Sequence, residues 1–113
     1  MIMVASVKYD EEADSLYVQI SSKKPFLTFE VNERLAVDIT QSNIPVGVEI
    51  LEASRFVSEL FGKHVSKEKV ASMLCRVSSS DQLYLDFELA GAGRQHARVA
   101  IPTVYESPIV SAA

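Results

Sequence analysis

Carboxylates are the most numerous residues of this chain that can do chemistry, and four of them crowd a single turn. Asp10, Glu11, Glu12 and Asp14 fall between Tyr9 and Tyr17. Converging oxygens of this kind suit a hard cation, but the stretch has no glycine at a sharp turn and no distal bidentate glutamate. Every residue has a structural use instead. Asp10 and Asp14 can accept hydrogen bonds from turn N–H groups, Ala13 fits a tight corner, and Tyr9 and Tyr17 flank the turn. Tyr9, Asp10, Asp14, Leu16 and Tyr17 are therefore read as a structural hairpin, and no metal site is expected.

A second set is spread along the chain. Glu30, Asp38 and Glu49 lie on the polar phase of three short alternating segments, which places them on one sheet face as a candidate acidic surface. Two carboxylates can act as acid and base when one has a raised pKa. The same face can dock a basic partner, or simply be solvated.

The remaining reactive types form no signature. Cys75 sits beside an apolar helical stripe and reads as a packing residue. His64 and His96 have no triad-like context, and two histidines with one cysteine lack the paired spacing of a zinc site. Gly91 and Gly93 do not open a helix with phosphate-loop spacing. The expectation is no catalytic residue, no metal and no cofactor.

Composition sets the frame. The chain has 113 residues, 48% hydrophobic and 23% charged, which suits one ordinary domain with a core rather than a disordered segment. One cysteine allows no internal disulfide. The apolar start Met1–Val7 meets Lys8 and Asp10 too soon for a secretory segment, and no window reaches membrane-spanning length. A cytoplasmic protein without membrane contact is expected. Net charge is −4, which disfavours a general nucleic-acid role. The charge divides as −5 over residues 1–52 and +1 over 53–113, where Lys63, His64, Lys67, Lys69 and Arg76 form a modest basic cluster.

Period-two alternation fills the first fifty residues and predicts five strands near 3–9, 16–20, 27–31, 35–39 and 46–50. Short turns between them point to an antiparallel meander. Phe56, Val57, Leu60 and Phe61 then make a helical stripe, with Ser54 as its N-cap and Gly62 at its C-terminal end. Ser66 caps a second helix whose face is Val70, Met73, Leu74 and Val77. Alternation returns at Leu83–Leu89, and Ala90–Gly93 turns the chain into a strand near Gln95–Ile101. Residues 104–110 are read as an edge strand or an intersubunit contact. The predicted fold is α+β: a β-meander, two short helices and a C-terminal β-hairpin within one domain.

Two stretches also resemble a known pattern. Val7-Lys8-Tyr9-Asp10-Glu11-Glu12-Ala13-Asp14-Ser15-Leu16-Tyr17-Val18 and Val46-Gly47-Val48-Glu49-Ile50-Leu51-Glu52-Ala53-Ser54, with Glu30-Val31 and Val37-Asp38-Ile39 between them, are similar to the family called domain of unknown function 2283. Its members share a YD-x-x-x-D-x-LY hairpin and an ending of the form hGhEIh-x-AS, where h is apolar. The resemblance covers residues 4–55. It implies no catalytic residue, since the family has no established activity; some members look like antitoxins of small toxin–antitoxin pairs.

The functional expectation is a non-enzymatic protein-interaction module that forms a homodimer, because a lightly covered meander leaves edges to be paired. The apolar stretch Val99–Val110 is the expected contact. An antitoxin-like regulator that neutralises a basic protein is the alternative, and a small enzyme using the sheet-face carboxylates is the third.

Overall fold

The computed structural model describes residues 2–79, 82–91 and 95–101. Its strands are β1 (Ile2–Val4), β2 (Ser6–Asp10), β3 (Ser15–Gln19), β4 (Leu27–Glu30), β5 (Leu35–Ile39) and β6 (Pro45–Ile50). Helices α1 (Ala53–Phe61) and α2 (Lys67–Ala71) follow, then β7 (Leu74–Ser79), β8 (Leu83–Leu89) and β9 (Gln95–Ile101). The α+β class with antiparallel sheets, two short helices and a C-terminal hairpin is as the alternation predicts.

The strands form two sheets, with orders β2-β3-β6-β5-β4 and β1-β7-β8-β9. In the first sheet β4, β5 and β6 run as a meander, while β3 lies beside β6 rather than β4. That is a Greek-key arrangement, in which the loop 20–26 carries the chain from β3 to the far edge. The first apolar run is split at Ala5. Ser6–Asp10 pairs with β3, but Ile2–Val4 crosses to β7, and the Ala5 N–H donates to the Cys75 carbonyl at 2.9 Å.

The second helix is shorter than its apolar stripe predicts. It ends at Ala71, and Leu74 and Val77 belong to β7. Val70, Met73, Leu74 and Val77 satisfy a helical period, but Met73, Cys75 and Val77 equally satisfy a strand period. Pairing on both sides, with β1 and β8, decides the matter for the strand.

Alternation does the burying. Leu16, Val18, Val37, Val48 and Ile50 from the first sheet join Cys75, Val77, Leu85 and Phe87 from the second, all at most 2% exposed, in one hydrophobic cluster. Helix α1 adds Ala53 and Val57 to the same cluster, and α2 adds Val70. The α1 C-terminus closes on Gly62 in the left-handed region (φ 70°), and the Lys63 N–H reaches back to the Ser58 carbonyl at 3.1 Å. Ser66 caps α2 by accepting from the Lys69 N–H at 3.3 Å.

Of the expected contact segment Val99–Val110, residues 99–101 are in β9; the rest, with the expected strand at 104–110, lies outside the described residues. The same holds for residues 92–94 of the expected glycine turn. Among the described residues no helix is long and apolar enough to cross a membrane.

Candidate functional site

The hairpin Tyr9–Tyr17 and the ending Ala53-Ser54 are one physical unit. Asp14 takes the left-handed conformation (φ 52°) that lets β2 turn into β3, an arrangement aspartate tolerates well. Its carboxylate accepts from the Tyr9 hydroxyl at 2.5 Å, the Ser54 N–H at 3.0 Å and the Ser54 hydroxyl at 2.7 Å. Its carbonyl accepts from the Ala53 N–H at 2.9 Å. The first two N–H groups of α1 are thus capped by a residue forty positions earlier in the chain.

This differs from the N-cap role expected of Ser54. The position before the helix is Glu52, itself left-handed (φ 50°) and without a side-chain cap, so Ser54 lies inside the first turn and donates to Asp14. Burial pushes the Asp14 carboxyl up, but the hydrogen bonds from Tyr9 and Ser54 and the nearby Lys67 ammonium hold it below its usual range. Burial, and next the hydrogen bond to Asp14 and its charge, push the Tyr9 hydroxyl up. Asp10 accepts from the Ala13 N–H at 3.1 Å and so holds the turn itself, and Leu16 is fully buried.

The tyrosines do not work as a pair. Tyr9 sits opposite Leu16 and packs on the core, whereas Tyr17 sits opposite Lys8 on the outer face. From there Tyr17 lies across Gly47 and donates to Asp38 Oδ2 at 2.8 Å, while Thr28 donates to Asp38 Oδ1 at 2.6 Å. A Cβ added at Gly47 would stand 2.0 Å from the Tyr17 hydroxyl oxygen and 2.3 Å from Cζ. Gly47 is in an ordinary strand, so space rather than backbone conformation requires it there. Burial first, and then the Asp38 hydrogen bond and the Asp38 and Glu49 charges, push the Tyr17 hydroxyl up to about 12.

The register places Glu30, Asp38 and Glu49 on this same outer face. Glu30, Ala36, Glu49, Tyr17 and Lys8 form one row across the sheet, and Thr28, Asp38, Gly47, Gln19 and Ser6 form the next. Asp38 is committed to Tyr17 and Thr28. Glu30 and Glu49 flank Ala36 in a shallow notch of about 110 Å³ that Glu33 and Leu51 also line. Sites that enclose a small molecule usually start at roughly 300 Å³, well above the volume of this notch.

Cys75 stands on β7, not beside a helical stripe, and is 1% exposed. Burial, and next the charge of Asp86, push its thiol up to about 12, which keeps it un-ionised and unreactive at neutral pH. His96 lies over β8 with Nε2 3.2 Å from Glu88 and Nδ1 3.4 Å from Asp86. Arg76 meets Glu88 at 3.2 Å, and Arg98 stacks over Tyr84 with 5.2 Å to the ring centroid. This lattice on the outer face of the second sheet is not visible in sequence, because Asp86 and Glu88 acquire partners only through the β7-β8-β9 register.

The basic cluster is dispersed: His64 and Lys67 line a groove of about 450 Å³ with Arg55, while Arg76 belongs to the second sheet. Ser54, Ser58 and Ser66 also line that groove, but their hydroxyls are spent on Asp14, on the Ser54 carbonyl and Val65 N–H, and on Lys69. Among the described residues no three His, Cys, Asp or Glu side chains converge as metal ligands would.

Comparison with curated proteins and with solved structures finds no match for the chain. The two halves of the signature, the Tyr9–Tyr17 hairpin and the Gly47–Ser54 ending, are joined by Asp14–Ser54 and by Tyr17 over Gly47, and residues 6–54 that contain them match the model of the family described as protein of unknown function (DUF2283).

Proposed function

We propose that the chain is a non-enzymatic protein-interaction module that assembles with a second copy of itself. The observation that carries this reading is the open corner of the first sheet. All four residues of β4 are exposed, and Phe26 (66%) and Leu27 (52%) expose large apolar groups at its start. Clustered apolar exposure at a sheet edge is the usual mark of a surface that another chain covers. The tyrosine–carboxylate sets support the non-enzymatic part, since each hydroxyl and its acceptor are spent on holding strands and helix together. Light scattering on the full chain at tens of micromolar tests the reading: a dimer mass supports it, and a strictly monomeric mass removes it.

A second reading draws on the outer face of the first sheet, where Asp10, Glu30, Asp38 and Glu49 face a single base, Lys8. Such a face suits an antitoxin-like regulator that neutralises a basic protein. Co-purification with a small basic protein encoded in an adjacent reading frame, lost in a Glu30→Gln/Glu49→Gln variant, would favour it. Co-purification unchanged by that variant would count against this face.

A further inference from the structure

Three hollows on the surface carry carboxylates in their walls. Glu33 and Glu59 border one, Asp10 and Glu49 a second, and Glu30, Glu33 and Glu49 the notch on the first sheet. The groove between α1 and the segment 64–67 differs. Its ionisable side chains are Arg55, His64 and Lys67, and no carboxylate lines it. In a chain of net charge −4 that is a local reversal of sign. Its volume of about 450 Å³ falls in the range of sites that hold small molecules.

The walls are fixed, and their donors are left over. Val65 is fully buried and anchors the segment; its N–H donates to the Ser58 hydroxyl at 2.8 Å, which in turn donates to the Ser54 carbonyl at 2.7 Å. Those contacts tie the segment to α1. Lys67 spends one ammonium hydrogen on the Glu11 carbonyl at 3.2 Å and keeps the others. The Arg55 guanidinium is 3.4 Å from Glu59 through Nε and 3.8 Å from Glu52 through Nη1, and its side chain is 66% exposed, so both contacts are weak and donors remain. His64 is exposed and has no side-chain partner among the described residues.

The donors select the ligand. A phosphate monoester carries about −1.5 to −2 charges and three acceptor oxygens, one for each of the three side chains and a charge to match Arg55 and Lys67. A carboxylate offers two oxygens and a single charge. The rim restricts what else the ligand carries. Glu52 and Glu59 stand beside Arg55, and Glu11 beside Lys67, so a nucleic-acid strand or an acidic peptide leaving the groove would run against carboxylates. A compact ester avoids them.

We propose that this groove binds the phosphate group of a small phosphate monoester, with Arg55, His64 and Lys67 as its donors. The site does not depend on self-association.

Amide nitrogen–proton correlation NMR of the full-length chain at neutral pH tests this, with glycerol phosphate, inorganic phosphate and, at matched ionic strength, acetate as probes. Both phosphate compounds should shift the amides of 54–55 and 64–67 with saturation below about 10 mM, and acetate should not. Arg55→Ala and Lys67→Ala should each weaken binding roughly fivefold. Lys67 also lies near Asp14, so Arg55→Ala carries the test where Lys67→Ala loosens the fold by far-UV circular dichroism. No saturable shift with glycerol phosphate, or shifts that acetate reproduces, overturns the site. Shifts that Arg55→Ala leaves unchanged place the phosphate elsewhere and overturn it as well. Tighter binding of a single-stranded oligonucleotide than of glycerol phosphate overturns the small-ligand assignment.

Discussion

Replacing Gly47 with alanine tests whether the signature glycine exists to make room for Tyr17. The added Cβ would lie 2.0 Å from the tyrosine oxygen, 2.3 Å from Cζ and 2.8 Å from Cε2, where ordinary contacts are 3.4–4 Å. The ring has to swing off the sheet, which breaks the 2.8 Å hydrogen bond to Asp38. A hydrogen bond to a carboxylate contributes about 1.5–3 kcal/mol, taken here as about 1–2 because both groups are half-buried. Ring packing adds up to about 1 kcal/mol, and relief of the glycine entropy in a strand returns about 0.5–1. Gly47→Ala therefore destabilises by about 1–2 kcal/mol. In a Tyr17→Ala background nothing occupies the space, and the same substitution becomes neutral or stabilising. The double-mutant cycle should give a coupling of about 2 kcal/mol. Urea denaturation reads it: with a slope of about 1–1.5 kcal/mol/M, Gly47→Ala lowers the wild-type midpoint by about 1 M. Equal effects of Gly47→Ala in both backgrounds, within about 0.5 kcal/mol, would refute the account of Gly47.

Two further outcomes follow from the buried chemistry. Asp14 has a depressed pKa when folded, so its stabilisation is present above the unfolded value near about 4 and is lost as pH falls through the lower folded value. Asp14→Asn keeps the left-handed turn, lowers stability at neutral pH by about 1–2 kcal/mol, and the deficit shrinks below pH about 4; a gap that stays constant down to pH about 2 would contradict this. The Cys75 thiol, 1% exposed and shifted up, should not react with a thiol reagent in the native chain and should react once on unfolding; rapid labelling of the native protein would overturn its placement.

Strand periods were legible because burial leaves them in the sequence: Leu16/Val18, Val37/Ile39 and Leu85/Phe87 alternate with polar neighbours and are buried as that alternation requires. Pairing was less legible. Nothing local in Val4-Ala5-Ser6 says that the run divides between two sheets, and Met73–Val77 satisfies both a helix and a strand until β1 and β8 close on it. The hairpin residues were visible as a motif, but not their contacts. Asp14 and Ser54 lie forty positions apart, and Tyr17 reaches Asp38 two strands away by crossing the one residue with no side chain. A glycine in the polar phase of a strand, flanked by Val46 and Val48, is the signal that marks such a crossing.

The central proposal is that the chain assembles with a second copy of itself, and the mass of the full chain in solution measures it most directly. Sedimentation equilibrium from low to high micromolar should show a reversible rise from the 12.5 kDa chain mass to twice that value. A mass that stays at that of a single chain through the whole range would contradict the account.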